Sequence, residues 1–288
     1  MSATIKSIRM HTSAPAKINL GLHVLRRRPD GFHDVETVLL PIAWEDTLHV
    51  EPATTFHFTC SDASLPTDDR NLCVRAALVL SERAGVEPSG WLHLEKQVPH
   101  GAGLGGGSSD AAHTLRLLAQ FWGLSLEADA LHAIAADLGS DVPFFLYDEA
   151  MLATGRGEVL EPLAEPAYVM SYALTVVMPD EPIGTAEAYG LVRPDDQARP
   201  DLRAVVRSND LDRWRRELVN DFEAPIFARY PTIRGAKRRL LDTGAGYAAL
   251  SGSGAAVFGV FERSDKAEAA AEAARAEGLD AWWSRGAE

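Results

Sequence analysis

The sequence predicts an α+β fold in two domains, on three observations. At 288 residues the chain exceeds one ordinary domain of about 100 to 200 residues and suits two. In the second half, strand-like and helix-like segments come in an order that suits helices laid on one face of an antiparallel sheet. Pro162 and Pro166 interrupt the pattern between the halves, so residues 1–163 are expected to form one domain and residues 164–288 the other.

The first half opens with strand-like segments at residues 7–12, 17–25 and 34–42, the second of them alternating. A charged turn at 26–31, with Asp30-Gly31 as its signal, separates the last two. Shorter strands follow at 47–51 and 55–59. A helix is expected over 71–84, because Cys73, Ala76, Ala77 and Leu80 share one apolar stripe and Gly85 can stop it. Residues 91–98 read as a strand leading into a glycine-rich stretch. Beyond it Ala111, Leu115, Leu118 and Trp122 mark one face of a helix. Ser125 can cap a further helix carrying Leu131, Ile134 and Leu138, with Gly139 at its end. Strands at 144–147 and 151–154 close this half. The second half reads as a strand at 173–178, helices at 185–191, 210–219 and 231–242, a strand over 248–261 interrupted by Ser251-Gly252-Ser253-Gly254, a helix at 265–276 and a last strand at 281–284. The alanine and glutamate of 266–276 favour a helix over a low-complexity segment.

Composition narrows the function. A net charge of −13 argues against nucleic acid or an anionic membrane surface as partner, since the overall field repels both. Any anionic ligand must be held by local groups. Cys60 and Cys73 are the two cysteines and form no C-x-x-C, so neither a disulfide framework nor a cysteine zinc site is expected, and a reducing cytoplasm is the default location. Residues 1–13 lack the apolar core of a signal peptide, and no apolar run approaches the ~20 residues of a membrane span.

Residues 99–112 read Pro-His-Gly-Ala-Gly-Leu-Gly-Gly-Gly-Ser-Ser-Asp-Ala-Ala, with five glycines between Gly101 and Gly107. Glycine opens backbone angles closed to other residues and lets N–H groups approach a ligand, and the helix that follows turns its free N–H groups and positive dipole end into the loop. Three readings stay open: a ligand-free turn, a dinucleotide loop and a nucleotide triphosphate loop. Gly101, Gly103 and Gly106 satisfy G-x-G-x-x-G, but the helix is expected to start only after Ser109, and the loop lies a third of the way along the chain instead of in a first βαβ unit. A Walker loop would carry lysine before Ser108, and none is there.

Other candidates each carry an ordinary reading beside a functional one. Lys17 in an alternating strand suits a solvent-facing lysine, yet Asn19 shares its face, and the pair could hold a phosphate or a hydroxyl. Asp141 could be a helix N-cap or a catalytic carboxylate in a loop. His33 is either a turn residue or, with Phe32, a base-recognition pair. Arg26 to Arg28 form a solvated turn or attract an anionic substrate. The Ser251–Gly254 stretch is a bulged strand or a second loop facing the first. No G-x-S-x-G, H-E-x-x-H or protein-kinase set occurs, which removes acyl hydrolase and protein kinase chemistry and leaves no recognised metal spacing.

Four stretches, at residues 15–20, 99–112, 139–145 and 250–256, together resemble the small-molecule kinases named for galactose, homoserine, mevalonate and phosphomevalonate. Pro-Ala-Lys-Ile-Asn-Leu from Pro15, Arg-Pro-Asp-Gly-Phe-His from Arg28, Gly-Leu-Gly-Gly-Gly-Ser-Ser from Gly103, Gly-Ser-Asp-Val-Pro-Phe from Gly139, and Asn71-Leu72 with Arg75-Ala76-Ala77 are most similar to those acting on a cytidine diphosphate substrate. The resemblance implies an N-terminal ribosomal-protein-S5-like domain for ATP binding and catalysis and a ferredoxin-like C-terminal domain on the substrate side. A cleft between them would hold the site, in a monomer or homodimer. ATP would be co-substrate, with Mg2+ carried by it and touched, if by any residue, by Ser109; no protein metal site is implied. Lys17 and Asp141 would be catalytic: Asp141 takes or orients the hydroxyl proton, and Lys17 holds it ionised and offsets charge on the moving phosphoryl group. Pro99, His100, Gly101, Ala102, Gly103, Leu104, Gly105, Gly106, Gly107, Ser108 and Ser109 would wrap the ATP phosphates, with Asn71 and Lys96 near the adenine. Asn19, Phe32, His33, Thr185 and Tyr189 would serve the substrate. Phe32 stands where tyrosine is usual and Tyr189 where phenylalanine is usual, and residues 180–220 match the family least.

Overall fold

The computed structural model describes residues 9–286, so the expected start of the first strand at residues 7–8 and most of the segment read for a targeting signal lie outside the described residues. Two long strands come first, β1 (Met10–Arg27) and β2 (His33–Glu51). Each replaces two shorter expected strands. The polar and proline positions that suggested breaks, Pro15 and the 43–46 stretch, sit in extended backbone; proline's fixed φ is compatible with a strand where its missing N–H is not needed. Asp46 stays inside β2 because its buried carboxylate accepts backbone N–H groups of residues 97 and 98.

The chain divides into two compact units, neither of them one continuous stretch. The first takes in the residues through Ala16, Trp44–Val98 and Gly106–Asp148; the second takes in Lys17–Ala43, Pro99–Gly105 and the residues from Glu149 on.

In the first unit, the end of β2 pairs antiparallel with β4 (Gly90–Glu95), Leu48 opposite Leu94 and Val50 opposite Leu92, and β4 pairs parallel with β3 (Phe56–Cys60). Helices α1 (Leu72–Ala84), α2 (Gly106–Phe121) and α3 (Ala128–Leu138) supply the rest of the core. Helix α1 ends where its sequence says: the Asn71 side chain accepts the Cys73 N–H, and Gly85 closes the helix at φ 65. Two expectations fail here. Helix α3 starts after Glu127 with no side-chain cap, so Ser125 does not cap it. Residues 143–146 form a 3-10 turn, Pro143–Leu146, instead of a strand. Proline favours a first helical position, and the turn buries the adjacent Phe144 and Phe145 together, whereas a strand would send them to opposite faces.

In the second unit, β5 (Met151–Thr154) pairs with the start of β2 and with β6 (Val159–Pro162), an unanticipated strand. A four-stranded antiparallel sheet, ordered β10-β7-β9-β8, is built from β7 (Ala173–Met178), β8 (Tyr247–Leu250), β9 (Val257–Phe261) and β10 (Asp280–Ser284). Helices α8 (Pro231–Asp242) and α9 (Ser264–Ala276) join its core through Ile233, Ala236 and Leu240 and through Ala267, Ala270 and Ala274. Between β7 and α8 lie four short helices, α4 (Thr185–Leu191), α5 (Leu202–Arg207), α6 (Leu211–Glu217) and α7 (Glu223–Arg229). α5 and α7 escaped the sequence reading because 6 or 7 residues span fewer than two helical turns, too few to establish a period. No helix among the described residues is long and apolar enough to cross a membrane, and Cys60 and Cys73 are both free.

Candidate active site

The second unit gathers Lys17, the glycine loop and the Ser251–Gly254 stretch. Residues Lys17 to Val24 of β1 are all buried. The alternation that placed Lys17 on a solvent face therefore misleads: this part of β1 is covered on both sides. On one edge, the 219–221 segment hydrogen-bonds it through Leu22 N–H to Val219 O, Asp221 N–H to Leu22 O and Val24 N–H to Asp221 Oδ2. Lysine is almost never this buried without partners. Lys17, 4% exposed, donates from Nζ to Asn19 Oδ1 at 2.6 Å and to the Gly103 carbonyl at 2.9 Å. Asn19 in turn donates to Thr37 Oγ1 at 3.0 Å, and Thr37 donates to Gly21 O. The shared face read for Lys17 and Asn19 is thus a hydrogen-bonded pair.

The loop residues Pro99, His100, Gly101, Ala102, Gly103, Leu104 and Gly105 alternate in character. Gly101, Gly103 and Gly105 take positive φ, while Ala102 and Leu104 between them are buried and pin the loop down. The 251–254 stretch is a loop joining β8 to β9, and it packs against this one. Ala256 N–H donates to Ala102 O, and Ser251 Oγ donates to the Gly103 carbonyl that Lys17 also uses. A Cβ on Gly254 would fall inside the Ala102–Gly103 peptide, and one on Gly103 would strike the Ser251 carbonyl. Asn220 holds the second loop from behind, donating to Leu250 O and Gly252 O, both at 2.9 Å. Thr37, Ser251 and Asn220 complete the Lys17 environment, and nothing local in the sequence marks them. Gly254→Ala should destabilise the protein by about 1–3 kcal/mol through overpacking. Gly107→Ala, whose Cβ would meet nothing within 4 Å, should be neutral or stabilising. Urea unfolding of the two variants checks the contrast, and equal midpoints would show that the loops do not interlock as described.

Candidate substrate residues also fall in this unit. His33 and Tyr189 stack with ring centroids 4.9 Å apart, and Tyr189 meets Phe222 edge-on. Burial is the main reason the His33 imidazole is pulled below its usual pKa, with the Arg27 charge second, so it is neutral at pH 7. Phe32 is 53% exposed with the Arg156 guanidinium over its ring. Thr185 opens α4 one turn from Tyr189 and is exposed. Arg26 and Arg28 are engaged by Asp34 and Asp30, as a solvated turn would have them.

The first unit carries the rest. Helix α2 begins at Gly106, the third glycine of G-x-G-x-x-G, and not after Ser109 as expected. That objection to a dinucleotide loop therefore fails, but the sheet supplies another: β4 pairs antiparallel with β2, and α2 leads on to α3 instead of to a parallel strand. Gly106, Gly107, Ser108 and Ser109 form the first turn of α2, whose N–H groups have no intrahelical acceptor. Ser109 is buried, its hydroxyl 3.4 Å from His113 Nδ1. Asn71 caps α1 and donates to Pro66 O, and Lys96 Nζ lies between Asp46 and Asp110. Asp141 is half-buried and does not cap the 3-10 turn, whose N-cap is Val142. Val142, Phe144 and Phe145 anchor its segment in the core. Among the described residues, no group of three or more His, Cys, Asp or Glu could hold a metal ion.

Residues 71–149 match the family described as GHMP kinases N terminal domain, and residues 198–280 match GHMP kinases C terminal. The chain is 52% identical, over 89% of its length and 92% of the relative's, to the 4-diphosphocytidyl-2-C-methyl-D-erythritol kinase of Salinibacter ruber. It is 46% identical to the protein of that name from Chlorobium luteolum, over 94% of each. Its fold is similar to the crystal structure of a 4-(cytidine 5'-diphospho)-2C-methyl-D-erythritol kinase, with TM-score 0.80 and 36% identity over 95% of this chain and 98% of that one. A homoserine kinase from Cytophaga hutchinsonii shares the fold, with TM-score 0.71 at 19% identity over 99% of this chain and 97% of that one.

Proposed function

The chain belongs to the GHMP kinases and, within them, to the 4-diphosphocytidyl-2-C-methyl-D-erythritol kinases, and we infer from that membership which of its residues do the chemistry. It is an ATP-dependent small-molecule kinase. It phosphorylates the 2-hydroxyl of 4-diphosphocytidyl-2-C-methyl-D-erythritol, a step toward isoprenoid precursors by the non-mevalonate route. The observation that carries the assignment of roles is the buried Lys17 ammonium docked on the Gly103 carbonyl of the glycine loop.

In this reading the backbone N–H groups of residues 99–109 take the ATP phosphates, as loops at helix starts do. Lys17 stabilises the charge that spreads over the moving phosphoryl group. Phosphoryl transfer depends mainly on positioning and charge stabilisation, so a cation fixed by two hydrogen bonds suits it. Asp141 accepts or orients the proton of the 2-hydroxyl as its oxygen bonds to phosphorus and ADP leaves. Mg2+ carried by ATP would supply further stabilisation of the same charge. Ser109, the candidate residue to touch it, has its hydroxyl 3.4 Å from His113 Nδ1. Asn71 and Lys96 border the adenine without reading it, because their side chains are already committed to capping and to two carboxylates. His33, Phe32 and Tyr189 serve the cytosine, and Asn19 and Thr185 the rest of the substrate.

Residues 1–163 are assigned to ATP binding and catalysis in an S5-like domain and residues 164–288 to the substrate side in a ferredoxin-like one. The strand order β10-β7-β9-β8 supports the second, and the two matched family segments lie on opposite sides of that boundary. A cytoplasmic setting suits the two free cysteines.

Incubating the purified protein with ATP, Mg2+ and the cytidine diphosphate substrate should add one phosphoryl group to the substrate, read by mass. Mevalonate or homoserine in its place should gain none. An unmodified substrate, or preference for either alternative, would refute the reading.

A further inference from the structure

The first unit buries an ionic cluster to which no catalytic role falls. Asp46 of β2 has no exposed surface; its Oδ1 accepts the N–H groups of Gln97 and Val98, and its Oδ2 accepts from Lys96 Nζ. Lys96 also donates to Asp110 Oδ2 at 3.0 Å, on the second turn of α2. The other oxygen of Asp110 is buried with no hydrogen-bond partner. Gly106 lets this contact form, since a Cβ there would stand 3.3 Å from Lys96 Nζ and 3.2 Å from Val98 Cγ1.

We propose that Asp46, Lys96 and Asp110 are positioning residues that clamp the two ends of the glycine loop, Val98 on entry and the start of α2 on exit, and thereby set its shape for the ATP phosphates. The inference rests on the reading of that loop as the ATP-phosphate site. Asp46 fastens the entry through two backbone N–H groups, Asp110 rides on the exit helix, and Lys96 ties one to the other. Lys96 borders the adenine, whereas Asp46 and Asp110 need not touch the nucleotide. A buried pair of carboxylates sharing one ammonium is costly when both are charged. Burial, and Asp46 beside it, push the Asp110 carboxyl up to about 8 against the pull of Lys96. At neutral pH Asp110 is therefore mostly the neutral acid. Above pH 8 it gains a negative charge on the second turn of α2, which repels phosphate at the first turn and loosens the clamp. The titratable groups facing Asp110 are Asp46 of β2, Lys96 beyond β4, Cys73 of α1 and Cys60 of β3, and burial holds both thiols above their usual range.

ATP binding to the full-length protein, measured by calorimetry from pH 7.5 to 9.5, tests this beside KM values for both substrates. Wild type should lose affinity about fivefold or more across that range, as one ionisation near 8 dictates. Asp110→Asn mimics the neutral acid. It should bind ATP within about twofold of wild type at pH 7.5 and lose most of the alkaline decline. Lys96→Met should raise KM for ATP about tenfold, with KM for the cytidine diphosphate substrate unchanged. An alkaline decline that persists in Asp110→Asn, or an unchanged KM for ATP in Lys96→Met, overturns the clamp. If Lys96→Met does not fold, the Asp110→Asn profile decides alone. Wild-type protein that bound no ATP would overturn the loop assignment itself, and the clamp with it.

Discussion

Lys17→Met should lower kcat by about 10³-fold, the loss typical of removing a cation or donor that stabilises transferring charge. The expected split between kinetic constants follows from the geometry. Lys17 is held by Asn19 Oδ1 and the Gly103 carbonyl before any charge moves, so its attraction grows as negative charge develops on the phosphoryl oxygens. KM for ATP should therefore rise far less than kcat falls. Methionine keeps the length of the side chain but cannot donate. The Asn19 oxygen loses its donor, at about 1–3 kcal/mol for a buried polar group left unpaired, while the Gly103 carbonyl keeps the Ser251 hydroxyl. The variant should melt at lower temperature while remaining folded, so turnover is to be compared below that transition with ADP affinity measured on the same sample. Lys17→Arg should not rescue, because a planar guanidinium does not fit a site 4% exposed and shaped around an ammonium. A loss in kcat smaller than tenfold, with ADP binding intact, would remove Lys17 from the chemistry.

Elements with local signals were legible in the sequence. Strand β7 and helices α4 and α8 run from the residues expected, and α1 is read from its stripe of Cys73, Ala76, Ala77 and Leu80 and its stop at Gly85. Misreadings arose where a distant segment decided. The long β1 and β2 look broken because Pro15 and Asp46 are poor strand residues by themselves, and only partners far along the chain make them acceptable. The glycine loop suits a phosphate through its own residues, but those residues alone leave a ligand-free turn, a dinucleotide loop and a triphosphate loop open. Lys17 is met by the glycine loop at Gly103 and Leu104 and by the 251–254 loop, neither of which has a pattern pointing back to residue 17. Likewise Asp46, Lys96 and Asp110 are ordinary charges in sequence, brought together only by strand pairing and the packing of α2. His33 was singled out beside Phe32 by its own turn, whereas Tyr189 came through the family resemblance, in a stretch where that resemblance is weak, and nothing local predicts that the two rings stack.

Asp141→Asn should lower kcat by about 10²- to 10⁴-fold, the contribution usual for a positioned proton acceptor, with ATP affinity within about threefold of wild type. Asparagine preserves the shape of the side chain and removes its capacity to take a proton. The backbone around it should not move, because buried Val142, Phe144 and Phe145 anchor the segment. That separates the prediction from a folding defect: unfolding midpoints of the variant and wild type should agree within about 0.5 kcal/mol. Turnover within threefold of wild type would reassign the acceptor. The stronger test combines the two substitutions. If Lys17 and Asp141 serve one transfer, each is useless without the other's contribution to the same transition state, and the double variant should be little worse than the poorer single variant. Losses that multiply instead would show two independent roles, and would sink the assignment of Lys17 and Asp141 to a common step even if each alone proved essential.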